Sequence, residues 1–453
     1  MDARTAERLS SAYGLDERLL ANARQARDKI NRAWNKVQSV AEYNQAKVLE
    51  AFHYARVSEA CFAPSTGYGY GDLGRERLEE VFARIFGAEA ALVRTQFVSG
   101  THAIACALFA CAGDRRPLIC ATGRPYDTLM PVIGSAELPG TIAGDGSPVE
   151  VLDLDSGGAI DVEKLVKAVK ERDTVVFIQR SCGYQWRPSI DMNHIARAID
   201  AVRQESPGSR VIVDNCYGEF VEDMEPCEVG ADLIAGSLIK NPGGGLCPTG
   251  GYIAGRRALV ERAGERLASP GIGSHVGSNP AGYRQLFQGV FMAPGIVGEA
   301  VKGAVFAASF FEGLGFEVSP HFAAPRTDII QGIKLGSRER LEAFCRGIQR
   351  ASAVDAFARP TAAPVPGYTD GIIMAGGTFV QGSSIELSAD GPLREPYAVF
   401  LQGGLSAGHA VIGAVIAAHE MVKEGLLPSI EEDRLVLPGG GVLLDTRERN
   451  GKD

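Results

Sequence analysis

Between residues 91 and 255 short β-rich runs alternate with helical stretches, and no other feature of the chain restricts its fold so much. The runs ALVR (91–94), PLIC (117–120), TVVFIQ (174–179), RVIVD (210–214), DLIAGS (232–237) and GYIAG (251–255) read as strands. Helical patterns fall around 101–112, 161–171 and 191–204. Strands that alternate with helices build a mostly parallel sheet covered by helices, an α/β architecture. Its crossovers are right-handed and its ligands sit at the carboxyl ends of the strands. The residues just beyond those ends are where chemistry is to be sought.

Two strand ends carry a matched pair. Asp214 closes RVIVD, and Lys240 follows DLIAGS in the stretch SLIKNPGGG (237–245), whose small residues leave room for a flat group. A strand-terminal carboxylate and a lysine in a glycine-rich turn suit pyridoxal phosphate (PLP). The lysine amine forms a Schiff base with the aldehyde, and the carboxylate keeps the pyridine nitrogen protonated. The plainer alternatives are a surface loop lysine and an N-capping or helix-paired aspartate. FVSGTHAIACALF (97–109) leaves ALVR and opens a helix, so Ser99, Gly100 and Thr101 bring backbone N–H groups and two hydroxyls to its N-terminus. Such an end attracts phosphate, although capping by Ser99 or Thr101 would use the same residues. Tyr126, in GRPYDTL (123–129), is placed to lie flat against the ring; packing on the core is the alternative. A substrate carboxylate calls for a bidentate arginine. The candidates are Arg394 in ADGPLREPY, Arg187 in GYQWRPS and Arg326 in APRTD. No GxxxxGK[ST], HExxH or GxSxG string occurs, no GxGxxG follows a strand, and no metal-ligand spacing is found, so no metal is expected.

Net charge is −9, which disfavours a nucleic-acid partner. No run of about 20 apolar residues is evident, so no membrane span is expected. The N-terminus has no apolar signal core, and the nine cysteines form no CxxC pair. They read as buried thiols of a cytoplasmic protein. Residues 1–63 read as an N-terminal helical arm, with no Pro or Gly inside 16–60. The glycine-rich loop PSTGYGYGDLGR (64–75) and the helix RERLEEVFARIFG open a large domain, 64–300. Residues 301–453 read as a smaller α+β domain, with a helix at 299–313, β-rich FEVSP, TDIIQGIKL, GIIMAGG and SSIELS, and a last helix at 407–424. The charged tail from 443 on is expected to be mobile.

Taken together, these strings resemble the Cys/Met-metabolism group of fold-type I PLP enzymes, and within it the methionine γ-lyase family, or aluminium resistance protein branch. The resemblance runs from about Tyr54 to Lys423. It is carried by GYGYGDLGRERLE, VRTQFVSGTHAI, GRPYDTL, QRSCGYQWRPS, VDNCYGEF, SLIKNPGGG, PTGGYIAG and GGTFVQGSSIELSADGPLREPY. It implies a large PLP domain, a small C-terminal domain and an active site shared across a homodimer or homotetramer. It implies Lys240 as the Schiff-base lysine, Asp214 as the partner of the ring nitrogen and Tyr126 as the ring stacker. Ser99, Gly100, Thr101 and Ser237 are implied as phosphate contacts. Tyr70 (or Tyr68) and Arg75 are implied to reach the phosphate from a neighbouring subunit. One departure stands out: where better-known γ-lyases carry arginine in an R-L-S motif, this chain has ELS, with Glu386 at that position. Arg394, eight positions on, is the substitute. The activity implied is removal of a γ or β heteroatom substituent, a thiol or halide, from an L-amino acid through Schiff-base intermediates, with Lys240 taking the Cα proton. γ-Replacement or amino transfer would use the same cofactor residues. A third possibility is a PLP binder without activity. Selectivity is expected from Gln185, Trp186 and residues 287–291.

Overall fold

The computed structural model describes residues 3–113, 115–364, 368 and 370–427; the charged tail read as mobile lies outside them. The strands expected between residues 91 and 255 all form. A seven-stranded sheet contains β1 (Ala90–Arg94), β2 (Leu118–Cys120), β3 (Val149–Val151), β4 (Val175–Gln179), β5 (Arg210–Asp214), β6 (Leu233–Ser237) and β7 (Gly251–Gly255). Their order is β1-β7-β6-β5-β4-β2-β3. Only β7 runs against the rest, antiparallel to both β1 and β6. Every residue of β2, β4, β6 and β7 is buried, as helices on both faces of a parallel sheet require. The sequence did not announce β3, because it is a short edge strand with all three residues exposed.

The long N-terminal helical pattern divides at Ile30 into Glu17–Lys29 and Asn31–Tyr54. Both helices lie on the helix Arg284–Gly313, where Trp34 Nε1 donates to the Lys302 carbonyl at 3.1 Å. That helix has 30 residues and begins well before the expected 299. Pro294 in its interior disguises the first half, since proline removes a backbone donor and crowds the preceding turn. Burial of most of the helix outweighs that local cost. It is also long and apolar enough to cross a bilayer, which the sequence reading did not anticipate. Here it runs through the interior, against the N-terminal helices, the helix Ala407–Lys423 and the second sheet.

The second sheet is antiparallel throughout, in the order β10-β11-β12-β9-β8. Its strands are β8 (Glu317–Ser319), β9 (Gln331–Lys334), β10 (Ile372–Ala375), β11 (Ser388–Pro392) and β12 (Ala398–Gln402). The strand expected in SSIELS begins only at its last residue, Ser388, and β12 was not expected at all. These two strands are neighbours. Asp390 pairs in register with Phe400, and Ser388 with Gln402.

Candidate active site

β4, β5 and β6 are parallel and end nearly level, because Gln179 pairs with Asp214 and Asp214 with Ala235. Their carboxyl ends, the start of the helix Gly100–Ala112 and the strands β11 and β12 enclose a cavity of about 630 Å³. Lys240, Asp214, Tyr126, Ser99, Gly100, Thr101 and Ser237 all line it. Seven residues spread over 142 positions of sequence (240 − 99 = 141 intervals) thus converge on one space.

Each is held by identifiable contacts. Ser99 is the N-cap: its hydroxyl accepts from the His102 backbone N–H at 3.1 Å. The first-turn N–H groups at Gly100 and Thr101 have no acceptor within the helix, as at any helix start. Space at Gly100 is tight, since a Cβ there would sit 3.0 Å from the Ser237 Cβ. The helix end and the end of β6 therefore form a single surface. The Thr101 and Tyr126 hydroxyls are 3.2 Å apart, and the Tyr126 backbone N–H donates to Gln179 Oε1 at 2.9 Å. Asp214 is buried and accepts from the Cys216 backbone N–H at 3.1 Å. The Lys240 ammonium lies 4.0 Å from the centre of the Tyr217 ring.

The electrostatics couple these groups. Burial pushes the Asp214 carboxyl up from the ordinary carboxylate range, and Lys240 opposes that. For Lys240, burial alone would lower the ammonium pKa. The acidic groups around it oppose that and hold the amine above its ordinary value, and among them only the Asp214 carboxylate can carry a charge near pH 7. Burial pushes up the Cys216, Tyr217 and Tyr126 acids, which keeps them neutral near pH 7. Asp214 is then the anion that keeps Lys240 charged.

The glycines after Lys240 have a different role from the one the sequence suggested. A Cβ on Gly243 would fall on the Leu238 carbonyl oxygen, and one on Gly244 would lie 2.4 Å from the Gly289 oxygen. Gly244 also sits at φ +53°, where L side chains are strained. Gly245 faces Leu405. The run lets the lysine turn dock on the long helix Arg284–Gly313, rather than admitting a flat ligand.

The arginine candidates separate. Arg394 lines the cavity, half-exposed and paired with Asp370 at 2.8 Å. Arg187 does not line it. Its guanidinium is committed to the Ser181, Gln179 and Pro188 carbonyls and to Gln185 Oε1. Arg326 is buried beside Gln331, to whose Oε1 it donates at 2.8 Å, and it too lies outside the cavity lining. Neither is placed to receive a ligand in this cavity. Arg124 lines it and was overlooked, although it stands two residues before Tyr126. Glu386 is no arginine substitute: its carboxylate is buried and accepts from the Phe379 and Val380 backbone N–H groups at 2.9 and 3.0 Å. Tyr70 is exposed beside Tyr68, with ring centres 5.6 Å apart. Arg75 is buried and donates to the Gly69, Gly277 and His275 carbonyls. Neither reaches the cavity of its own chain.

Several lining residues went unnoticed in the sequence. Tyr184, Tyr217, Tyr368, Asp390, Phe400 and Gln402 line the same cavity as Ser99 to Thr101. Phe400 and Gln402 lie on the unexpected β12, and Asp390 on the displaced β11. Of the residues expected to give selectivity, Gln185 lines the cavity. Trp186 lines an adjoining one of about 310 Å³. Residues 287–291 do not contribute: Phe287 is in the core and Phe291 packs on Phe52.

The donor set fits PLP. The helix start, with Thr101 and Ser237, offers N–H and hydroxyl groups to a phosphate. Asp214 offers a buried carboxylate to a protonated ring nitrogen, and Lys240 an amine to an aldehyde. Comparison with known proteins agrees. The methionine gamma-lyase family profile matches residues 19–422. An uncharacterized protein, YnbB of Bacillus subtilis (strain 168), is 45% identical over 393 residues, covering 86% of this chain and 93% of that one. A solved structure described as a carbon-sulfur lyase involved in aluminum resistance, from Clostridium novyi NT, superposes with a TM-score of 0.89. It is 43% identical and covers 93% of this chain and 100% of that one. A more distant likeness, 15% identical with a TM-score of 0.56 over 85% of this chain and 97% of that one, is to the pyridoxal-5'-phosphate dependent protein YhfS from Escherichia coli. At that identity it speaks for the fold alone, which is that of fold-type I enzymes.

Proposed function

Since the chain belongs to the methionine gamma-lyase family, we propose that it is a PLP-dependent carbon–sulfur lyase that removes a β or γ thiol from an L-amino acid. The observation that carries this reading is the convergence of Lys240, Asp214 and the N-terminus of Gly100–Ala112 on one cavity. Lys240 would hold the coenzyme through its amine, and Asp214 would face the pyridine nitrogen. Ser99, Gly100, Thr101 and Ser237 would take the phosphate, and Tyr126 would lie against the ring. Tyr70 and Arg75 would serve the site of a second copy in a homodimer or homotetramer. When bound, the coenzyme supplies an electron sink that makes the substrate Cα–H acidic.

The rest falls to the chain's own groups. Lys240 takes the Cα proton at Nζ, which requires a neutral amine. Asp214 keeps Lys240 charged only while its own charge is unmatched. Were Asp214 paired with a cationic ring nitrogen, its hold on Lys240 would be lost, and burial would then favour the neutral amine. Tyr126, with its hydroxyl acidity suppressed by burial, donates a proton rather than accepting one. Arg394 and Arg124 are guanidinium groups on the cavity wall able to orient a carboxylate.

The test is to incubate purified protein with PLP and a panel of S-substituted cysteines and homocysteines. Oxoacid, ammonia and released thiol are then measured. Equal amounts of all three support elimination. Amino transfer to an added oxoacid without free ammonia would replace the lyase reading with a transaminase. Lys240→Ala should abolish the visible absorption of the bound coenzyme. Protein that binds no coenzyme even in excess would overturn the proposal.

A further inference from the structure

We infer that the cavity wall formed by Asp390, Gln402, Tyr184 and Tyr368 is a subsite for an ammonium group carried on the leaving portion of the substrate. The inference rests on the lyase reading for where the reacting carbon lies. Asp390 lines the cavity from β11, and Gln402 Nε2 donates to its Oδ2 at 3.1 Å. The Tyr184 hydroxyl lies beside the same carboxylate. The arginine on this wall, Arg394, is turned to Asp370 instead. Among the described residues, the cation acting on Asp390 is Lys240, which the proposed chemistry engages elsewhere. Asp390 is partly buried and open to the cavity, and a carboxylate partly removed from water without a cationic partner is costly. Burial does push this one up, to about 7. The cost is offset if a ligand brings the missing charge.

The neighbouring surfaces suit the same ligand. Tyr184 packs against Tyr368 and Phe400, with ring centres 5.7 and 5.6 Å away, and Tyr217 closes the side toward Lys240. Aromatic faces beside a carboxylate attract an organic ammonium through both the ring quadrupole and the charge. A leaving group with no charge would leave Asp390 unmatched. The reaction on a cysteine thioether is R–S–CH2–CH(NH3+)–COO− plus water, giving R–SH, pyruvate and ammonium. The Cα–H and Cβ–S bonds break, and sulfur leaves with a proton. The subsite acts on R and alters no step of that balance.

S-(2-aminoethyl)-L-cysteine and S-propyl-L-cysteine have nearly the same shape and differ in that charge. They, and the corresponding homocysteine pair, are compared on PLP-loaded protein by calorimetric Kd and by kcat/KM. The aminoethyl compound is expected to bind about tenfold to a hundredfold more tightly, the range of a hydrogen bond to a charged group. In Asp390→Asn that ratio should fall toward one while the Kd for the propyl compound stays the same. Asp390→Glu should retain part of the preference. Equal Kd values in the unmodified protein, or a preference that survives Asp390→Asn, would overturn the subsite. Coenzyme binding and turnover of the propyl compound report on the lyase reading separately. That reading stands if the propyl compound is cleaved without any preference for its charged analogue.

Discussion

A carboxylate at residue 386 and another at residue 390 show how little a side chain's type says without its partners. Glu386, at the place where the resemblance led to the expectation of an arginine, has its two oxygens consumed by the backbone N–H groups of Phe379 and Val380. Asp390, four residues on, faces the cavity. Burial raises its pKa to about 7, and that makes a stability prediction. An acid whose folded-state pKa is raised holds a proton that the unfolded chain gives up, so stability falls as pH rises from about 4 to about 7. Asp390→Asn removes that penalty. Without coenzyme, the variant should melt at the same temperature as the parent near pH 4 and above it at pH 8. Equal melting temperatures at pH 8 would show that the carboxylate is already compensated. Among the arginines, Arg394→Ala should raise KM for the amino acid about tenfold or more while leaving coenzyme affinity unchanged, the pattern of a lost bidentate contact. An unchanged KM, with a rise in Arg124→Ala, would move the carboxylate contact to Arg124.

At the scale of elements, the lysine turn and the long helix Arg284–Gly313 determine each other. A Cβ on Gly289 would lie 2.4 Å from the Gly243 oxygen and 3.1 Å from the Cys247 Sγ. Gly289→Ala gains roughly 1 kcal/mol of helix propensity. Overpacking against a backbone oxygen costs about 1–3 kcal/mol, because that atom cannot swing aside as a side chain does. The clash wins. The variant should melt lower and bind PLP more weakly, since the turn that carries Lys240 must shift. Full coenzyme affinity would show that the turn yields elsewhere. The strands of the large sheet were legible because β4, β5, β6 and β7 are short apolar runs of branched and small residues closed by polar ones. The start of the long helix was hidden by Pro294, and β12 by its position just after a proline-flanked turn. Local signals there contradict a structure that burial enforces.

For the whole molecule, one chain supplies the cavity lining without Tyr70 or Arg75. Tyr70 is exposed and Arg75 bonds to its own loop, and neither lines the cavity of this chain. If a second copy brings Tyr70 to the site, Lys240→Ala and Tyr70→Ala are complementary. Mixed and reassociated dimers should recover about a quarter of the parent activity, because half of the dimers are hybrids and each has one complete site. Full activity of Tyr70→Ala by itself would place Tyr70 outside the active centre. The N-terminal helices, which pack on Arg284–Gly313 beside the lysine turn, tie the periphery to the same centre.

The sequence by itself determined the parallel sheet, the lysine and aspartate at its strand ends, and the helix start beside them. Each follows from local pattern: apolar runs of strand length, polar residues closing them, and a serine, glycine and threonine where a helix begins. Tertiary structure alone decided which arginines face the cavity, why glycines follow Lys240, and that Asp390 lines the same cavity as the start of the helix Gly100–Ala112. Those properties depend on which groups meet across hundreds of residues. A guanidinium spent on carbonyls and one free to bind a ligand look the same in a sequence until the fold supplies their neighbours.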